Sequence, residues 1–341
     1  MGDDDSMTFN DVLEIKNGKN QKAVENPKGT YPIYGSGGVM GYADEYICKA
    51  DTIVIGRKGS INNPIYVDEP FWNVDTAFGL EAKEDVLKPH YLYYFCKKFD
   101  FERLNKAVTI PSLTKSDLLK IEINLPDLDE QQGIIDKLMK IEKIIQYRKD
   151  ELSSLDELIK ARFVEMFGDP VLNDKKFSTL SGEDFFKLSN GKAVPEEKRH
   201  EVGIPAYGGN GISWYTNEVL RVEDTLVVGR VGFQSGNVHY AVGPLWITDN
   251  AMYISQYDKG KINLVFLCEL MQRVNFSRFQ DAGDLKKITQ KPFMSFQYIL
   301  PSMELQQKFV DFKEQVDKSK VIAYTIYMNY SNRRSCHGNK F

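Results

Sequence analysis

Two short turns carry the arginines that are best placed for chemistry in this sequence. Both turns read Gly-Arg-x-Gly, and their arginines are Arg57 and Arg230. A guanidinium on a tight, glycine-flanked turn can reach a phosphate oxygen or the edge of a guanine base. The alternative is that each arginine pairs with a carboxylate of the fold, and the sequence leaves both interpretations open.

Further cationic, amide and hydroxyl side chains form two groups. One group accompanies the turns and comprises Lys28, Lys58, Asn210, Gln234 and Asn237. The other precedes the last predicted strand of each half of the chain and comprises Arg103, Asn105, Lys106, Thr109, Ser112, Thr114 and Lys115, then Arg273, Arg278, Lys286, Lys287, Thr289, Gln290 and Lys291. Cations suit phosphates, whereas amides and hydroxyls suit base edges. These residues predict contacts with DNA, with a solvated loop as the alternative for the second group.

No catalytic or metal-binding signature accompanies these candidates. The sequence has no Gly-x-x-x-x-Gly-Lys-Ser/Thr loop for a nucleoside triphosphate and no Gly-x-Ser-x-Gly nucleophile turn. The 4 Cys and 4 His residues are too scattered for a metal site. Cys96 and Cys268 lie in apolar, helix-like runs, which predicts buried free thiols. We therefore predict no catalytic residue, no metal site and no cofactor in this chain.

Length and composition predict a cytoplasmic protein of about two domains. The chain has 341 residues, of which 42% are apolar and 27% charged, as in ordinary globular proteins. No apolar run reaches the ~18 residues of a membrane span, and the acidic N-terminus lacks the features of a signal peptide. These observations predict no membrane contact.

The charge balance bears on the kind of partner. A net charge of −4 argues mildly against a nucleic acid, because nucleic-acid-binding domains usually carry a basic surplus. The net charge is unevenly distributed: it is −5 in residues 1–128, −2 in 129–168, zero in 169–301 and +3 in 302–341. Any contact with DNA must therefore come from a local stripe of cations, which predicts weak binding by the chain alone.

An internal repeat organises the whole sequence. Matching features recur at an offset of 173 residues that drifts to 175, and they include Tyr34 and Tyr207, Asp51 and Asp224, Trp72 and Trp246, Pro126 and Pro301, and Gln131 and Gln306. This period is too long for a solenoid, so each copy is a whole domain with a following segment. The two aspartates precede matching strands, where hydrogen bonding within a turn is the expected role.

Each copy is predicted to be strand-rich and to contain one helix. Short β-branched runs predict strands at 52–55, 65–67, 77–80, 225–228, 238–240 and 252–254. The helices are predicted over 89–104 and 263–279, and each domain ends in an apolar strand, at 121–126 and 296–301. This order of elements predicts the α+β class, with two homologous domains.

A long amphipathic helix follows each domain. The first has an apolar seam of heptad spacing that includes Ile134, Leu138, Ile141, Ile145, Leu152, Leu155, Ile159 and Met166. The second has a weaker seam that includes Phe309, Phe312 and Val316. Asp127 is expected to cap the first helix and Gly168 to end it, giving a length of ~58 Å. An antiparallel coiled coil of the two helices is the compact arrangement.

The predicted boundaries follow from this pattern. The first domain is assigned to 1–128, the central helix to 129–168, the second domain to 169–301 and the C-terminal helix to 302–341.

The order and duplication of these features resemble the specificity subunit of type I restriction-modification systems. The resemblance rests on the paired Tyr-Gly-x-x-Gly stretches, the Leu-Pro ends, the Gln-Gln pairs and a long helix that ends in Met-Phe-Gly at 166–168. It covers about residues 8–323. One departure is the segment after Ala323, which lacks such an end and is expected to be truncated or replaced.

The resemblance implies a division of labour among subunits. Each domain would be a target recognition domain that reads one half of a bipartite, asymmetric site in double-stranded DNA, and the coiled coil would set the spacing. The chain would dock two methyltransferase subunits, which use S-adenosylmethionine. Two restriction subunits, which use ATP and Mg²⁺, could join this complex. The alternative from the residues alone is a non-catalytic scaffold of tandem peptide- or carbohydrate-binding domains on a coiled-coil spine.

Overall fold

The chain forms two compact units joined through two long helices. The computed structural model describes residues 7–106, 110–283 and 286–337, with residues 329–337 as backbone only. The first unit comprises Met1–Lys149 together with Thr325–Phe341, and the second comprises Asp150–Tyr324. Thr109, one of the candidate residues, lies outside the described part of the chain.

The first unit contains nine strands and three helices before the first long helix. In chain order they are β1 (Met7–Thr8), α1 (Phe9–Val12), β2 (Leu13–Asn17), β3 (Tyr31–Gly35), β4 (Gly38–Ala43), β5 (Thr52–Gly56), β6 (Ile65–Val67), β7 (Trp72–Asn73), β8 (Ala77–Ala82), α2 (Pro89–Lys98), α3 (Lys115–Leu118) and β9 (Glu122–Ile123). The long helix α4 (Leu128–Phe167) follows. The counts refer to the residues that the structure describes.

Three sheets form the first unit. The largest has the order β2-β8-β5-β6 with antiparallel pairs throughout. A second sheet has the order β4-β3-β7, in which β3 and β7 run parallel. The short strands β1 and β9 pair as a third sheet. Every residue of β5 is buried, because this strand lies between β8 and β6, and α2 contributes Tyr91, Leu92 and Phe95 to the same core.

The second unit repeats this arrangement. Its elements are β10 (Thr179–Ser181), β11 (Phe186–Asn190), β12 (Ile204–Gly208), β13 (Gly211–Thr216), β14 (Thr225–Gly229), β15 (Val238–Ala241), β16 (Trp246–Ile247), β17 (Ala251–Tyr257), α5 (Leu264–Val274), α6 (Lys291–Ser295), β18 (Gln297–Ile299) and the long helix α7 (Met303–His337). The sheet orders β11-β17-β14-β15, β13-β12-β16 and β10-β18 match those of the first unit. The predicted duplication and α+β class are therefore confirmed.

The two predicted medium-length helices are shorter than expected. Helix α2 ends at Lys98, and a separate 3-10 turn spans Phe101–Leu104 with Asp100 as its cap. Helix α5 ends at Val274, because its C-cap residue Asn275 has a left-handed φ of 56°, and a 3-10 turn follows at Phe276–Phe279. The prediction of one continuous helix over each of the ranges 89–104 and 263–279 was therefore wrong. It failed because the apolar pattern of the sequence continues across both breaks.

The predicted last strands were also too long. Only Glu122–Ile123 and Gln297–Ile299 pair as strands, because their short partners β1 and β10 offer only two and three residues. The remaining residues up to the Leu-Pro ends belong to no strand in the described part of the chain.

Helix α4 is continuous over 40 residues. The Asp127 carboxylate accepts hydrogen bonds from the backbone N–H groups of Asp129 and Glu130, at 3.0 and 2.8 Å, so it caps the helix as expected. The helix stops at Gly168, which has a φ of +70°.

Within the second unit, the end of α4 packs antiparallel on the start of α7. Asp156 pairs with Lys320 at 2.6 Å, whereas the ring of Phe163, further along α4, lies 5.4 Å from that of Phe309, earlier in α7. Rising residue numbers in one helix therefore meet falling numbers in the other. Helix α7 continues as backbone to His337, so the segment after Ala323 is helical although its sequence lacks the expected pattern.

The seam residues differ in depth. Leu138, Ile145, Ile159, Phe309 and Val316 are buried, whereas Ile134, Ile141, Leu152, Leu155, Met166 and Phe312 are half-buried. The most deeply buried apolar side chains of α4, Phe163 and Phe167, were not predicted. They lie one position outside the heptad seam, because they contact Phe266 of α5 as well as Phe309.

A buried glutamine fastens each long helix to its own domain. The Gln131 side chain is fully buried and makes three hydrogen bonds of 2.9 Å. Its carbonyl accepts from Lys88 N at the start of α2, and its amide donates to two backbone carbonyls. Gln306 repeats all three bonds in the second unit, with Asn263 N, Lys261 O and Pro301 O. The repeated Gln-Gln pairs therefore mark a duplicated helix–domain joint.

The two thiols that were predicted to be buried, those of Cys96 and Cys268, are buried. Cys48, Cys96 and Cys268 lie in the cores, where burial raises the pKa of the Cys48 and Cys268 thiols to about 12. Among the described residues, no helix is both long and apolar enough to cross a membrane.

Candidate functional site

The two Gly-Arg-x-Gly turns follow equivalent buried strands. β5 and β14 each end in glycine, and the arginine is the next residue. The second glycines, Gly59 and Gly232, have φ values of +82° and +89°, which favour glycine. At Gly229 an added Cβ would lie 2.4 Å from Gln234 O, so the turn closes only around glycine. The same backbone turn therefore presents an arginine in each unit.

The arginines bind backbone carbonyls rather than carboxylates. Arg57 Nη1 lies 3.5 Å from Asp75 O, and Arg230 Nη1 lies 3.3 Å from Asp249 O. In the part of the chain that the structure describes, neither guanidinium is within 4.0 Å of a carboxylate oxygen. Arg57 is exposed and Arg230 is half-buried, so both retain charge for an anionic ligand.

Backbone hydrogen bonds join each arginine turn to the candidate segment that precedes the last strand of the same unit. In the first unit, Leu113 N donates to Arg57 O at 2.9 Å and Gly59 N donates to Pro111 O at 3.1 Å. In the second, Ile288 N donates to Arg230 O at 3.0 Å and Gly232 N donates to Lys286 O at 2.8 Å. The fold thereby joins two distant sequence segments into one surface in each unit, which we call the turn surface.

The turn surface of the second unit carries more cationic side chains without a described salt-bridge partner than that of the first unit. Lys287 is exposed and Lys286 half-buried, and neither forms a salt bridge with a described carboxylate. Arg278 stacks on the neighbouring Phe279 ring, with 4.8 Å between its Cζ atom and the ring centroid. Gln290 bonds Asn190 at 3.3 Å, and Lys291 is the first residue of α6.

Several first-unit candidates are engaged within the fold. Lys106 pairs with Asp117 at 2.9 Å, and Lys115 Nζ donates to Ile15 O at 2.7 Å. The Arg103 guanidinium lies 5.9 Å from the centroid of the Phe99 ring. Lys58 is exposed beside Ser112, its partner in an isolated β-bridge. Lys28 is exposed in the loop before β3, and no described contact joins it to the turn surface.

An open cleft of about 500 Å³ adjoins the turn of the second unit. Its polar lining includes Asn210, Gln234 and Asn250, and Asn237 donates a hydrogen bond to Gln234. One wall is Trp214, whose ring carries the Arg199 guanidinium at 5.2 Å. The cleft thus combines amides, an aromatic face and a cation.

The matched aspartates bind tyrosines on neighbouring strands. Asp51 accepts a hydrogen bond from Tyr66, and Asp224 accepts one of 2.7 Å from Tyr240. Burial, with the adjacent carboxylate, raises the pKa of both phenols well above the usual value. These pairs join β5 to β6 and β14 to β15, so their role is structural.

Sequence reasoning missed three residues of the second-unit surface. Phe233 is 88% exposed at the tip of the turn, and Arg199 and Trp214 line the cleft beside it. A position-by-position comparison of the repeats was the available signal, since Phe233 aligns with Ser60 of the first copy. Within the described ranges, no group of three His, Cys, Asp or Glu side chains could hold a metal ion.

A comparison with known protein families identifies the family of this chain. The profile described as "Type I restriction modification DNA specificity domain" matches residues 2–156 and 174–325, one match for each half of the repeat. The chain belongs to this family. The resemblance seen in the sequence is therefore confirmed, and the peptide- or carbohydrate-binding alternative receives no support.

Named relatives of this specificity family agree. A putative type I restriction enzyme MjaX specificity subunit of Methanocaldococcus jannaschii is 24% identical, and the match covers 71% of this chain and 67% of that protein. A putative type I specificity subunit, S.MpnORF285P, of Mycoplasma pneumoniae is 27% identical over 41% of this chain and 48% of its own length. The chain thus spans about half to two thirds of these relatives.

A solved structure shows the same fold. The type I restriction-modification S subunit from M. genitalium superposes with a TM-score of 0.69 at 18% identity, covering 100% of this chain and 97% of that one.

Proposed function

We propose that each unit reads one half of a bipartite, asymmetric site in double-stranded DNA. The observation that carries the proposal is the duplicated turn surface, in which an arginine without a carboxylate partner meets a second polar segment. Guanidinium groups bind guanine edges and phosphates, while the neighbouring amides suit other base edges. Because the two surfaces differ in sequence, the two half-sites are expected to differ.

The long helices are proposed to set the distance between the half-sites. A straight helix of 40 residues spans ~60 Å, which exceeds one turn of DNA at ~34 Å. Two separated readers would therefore leave unread base pairs between their half-sites.

The chain is proposed to act without catalysing a reaction itself. Two methyltransferase subunits would supply S-adenosylmethionine-dependent chemistry. In a system that includes restriction subunits, two of them would supply ATP- and Mg²⁺-dependent cleavage. Membership of the specificity family and the sequence, which carries no catalytic signature, support this division. The uneven charge supports dependence on partners, because only part of the surface favours phosphate contacts.

Methylation mapping tests the proposal directly. The full chain would be expressed with its methyltransferase in a host that lacks other adenine methylation, and modified adenines would be mapped across the genome. We expect a motif of two unlike half-sites separated by a fixed, unread spacer. A continuous or palindromic motif, or no methylation that depends on this chain, would refute the proposal.

A further inference from the structure

The most exposed aromatic side chain of the second unit stands at the tip of its arginine turn. Phe233 is 88% exposed and lies three residues after Arg230. We propose that the Phe233 ring contacts the 5-methyl group of a thymine in the half-site that this unit reads. The inference rests on the proposed function, and it names one residue and the chemical group that this residue recognises.

Backbone and side-chain hydrogen bonds of the loop fix its conformation, so the exposed position of the Phe233 ring does not depend on contacts of the ring. Gly232 N donates to Lys286 O at 2.8 Å, and Ser235 N donates to Gly232 O at 3.0 Å. Ser235 O in turn accepts hydrogen bonds from Gln280 Nε2 at 2.6 Å and from Ser277 Oγ at 3.1 Å. The loop is therefore fixed from both sides, and its one large apolar side chain contributes little to the core.

The surroundings of the ring suit a base edge. Gln234 and Asn250 line the cleft next to Phe233 and can bond the edges of bases, and Arg230 and Lys287 supply positive charge for phosphates. Asp249 also lines the cleft, but its backbone carbonyl is the atom that bonds Arg230. An aromatic ring among such donors would be desolvated only when a ligand covers it.

The first unit shows that the turn does not need this ring. Its turn has the same positive-φ glycine, Gly59, but continues with exposed Ser60 and then buried Ile61. The shared backbone therefore forms with a small polar residue at the tip. The aromatic residue distinguishes the second surface from the first, as expected of a side chain that selects a different sequence.

Thymine is the base that fits an apolar probe. Its 5-methyl group is the apolar feature of the major groove, where the other bases present only hydrogen-bond donors and acceptors. Removing that methyl group leaves every hydrogen bond of the base pair unchanged. Substitution of deoxyuridine for thymidine thus isolates the contact that we propose.

The test is a cycle of protein and DNA changes. The full chain with its methyltransferase would bind duplexes in which each thymine of the second unit's half-site is replaced, one at a time, by uracil. At one position we expect wild-type affinity to fall about fourfold, the effect of removing one buried methyl group from contact. The Phe233→Ser variant, which carries the first unit's residue, should lose affinity for the thymine duplex and show no further loss with uracil.

Two controls make the result decisive. Phe233→Leu keeps an apolar side chain and should retain part of the response to uracil, and Leu172→Ser changes a 76% exposed residue after α4 and should behave as wild type. If wild type and Phe233→Ser respond equally to uracil, the inference is overturned. It is also overturned if Phe233→Ser binds more weakly but no position is sensitive to uracil in wild type, because that result indicates that the ring stacks between bases. Both outcomes would leave the bipartite site intact, whereas loss of that site would refute the proposed function as well.

Discussion

The two arginines of the turns combine a fixed backbone with an unneutralised charge. Each guanidinium is steadied by one carbonyl, Asp75 O or Asp249 O, and neither is paired with a described carboxylate. A carbonyl orients the group but leaves its net charge available. This geometry agrees with a side chain that becomes fully bonded only when DNA is present.

We expect Arg230→Ala to weaken recognition at one half-site only. Loss of a bidentate contact with guanine costs about 1–3 kcal/mol, roughly a fivefold to 150-fold loss of affinity at that position. Arg230→Lys should keep part of the affinity but lose discrimination between bases, because lysine is a point charge without the planar fork. Competition binding with duplexes mutated in either half-site measures both effects.

The control for Arg230→Ala is Lys308→Ala, which removes an exposed charge from α7. It should leave the half-site preference unchanged. Equal loss of preference at both halves in Arg230→Ala would contradict its assignment to one reader.

At the scale of elements, the glutamine joints explain how a separate helix stays attached to a domain. Gln131 and Gln306 are fully buried although each lies next to an exposed glutamine, Gln132 or Gln307. The buried amide bonds the start of a domain helix and the chain just before the long helix. Each joint therefore fixes where the long helix leaves its domain.

We expect Gln131→Leu to destabilise the first unit by about 2–5 kcal/mol, because three half-buried backbone groups lose their hydrogen-bond partner. The neighbouring Gln132→Leu changes the same residue type on the exposed side and should stay within about 0.5 kcal/mol of wild type. Urea unfolding followed by circular dichroism compares the two. Equal midpoints would show that the joint is not important for stability.

The sequence predicted the elements whose signal is local. The buried strands β5 and β14 and the long helix α4 followed from β-branched runs, a capping aspartate and a heptad seam. The helix break at Asn275 was missed because it depends on one residue with a left-handed backbone. The burial of Phe163 was missed because α5, a distant part of the chain, covers it.

The site could be predicted only in part for the same reason. Arg57 and Arg230 stood out through duplication, but the backbone bonds that bring residues 111–113 and 286–288 to them are long-range. Lys106 and Lys115 were indistinguishable from free cations until Asp117 and Ile15 were seen beside them.

At the scale of the whole molecule, we expect the two units to contribute independently to the free energy of DNA binding. Arg57→Ala and Arg230→Ala lie in different units and share no described partner. Their losses in binding free energy should therefore add to within about 0.5 kcal/mol in the double variant. Titrations of the wild type, both single variants and the double variant on one bipartite duplex provide the measurement. A coupling larger than 1 kcal/mol would mean that the two surfaces act on each other.

The division of the chain has a consequence for its biosynthesis. The first unit contains residues up to Lys149 and then residues from Thr325 onward. Translation at roughly 5–20 residues per second would separate these two parts by about 9–35 s. The unit whose synthesis begins first is thus completed last, after the ribosome has made all of the second unit. A polypeptide whose synthesis ends before Thr325 would contain the whole second unit but only part of the first unit.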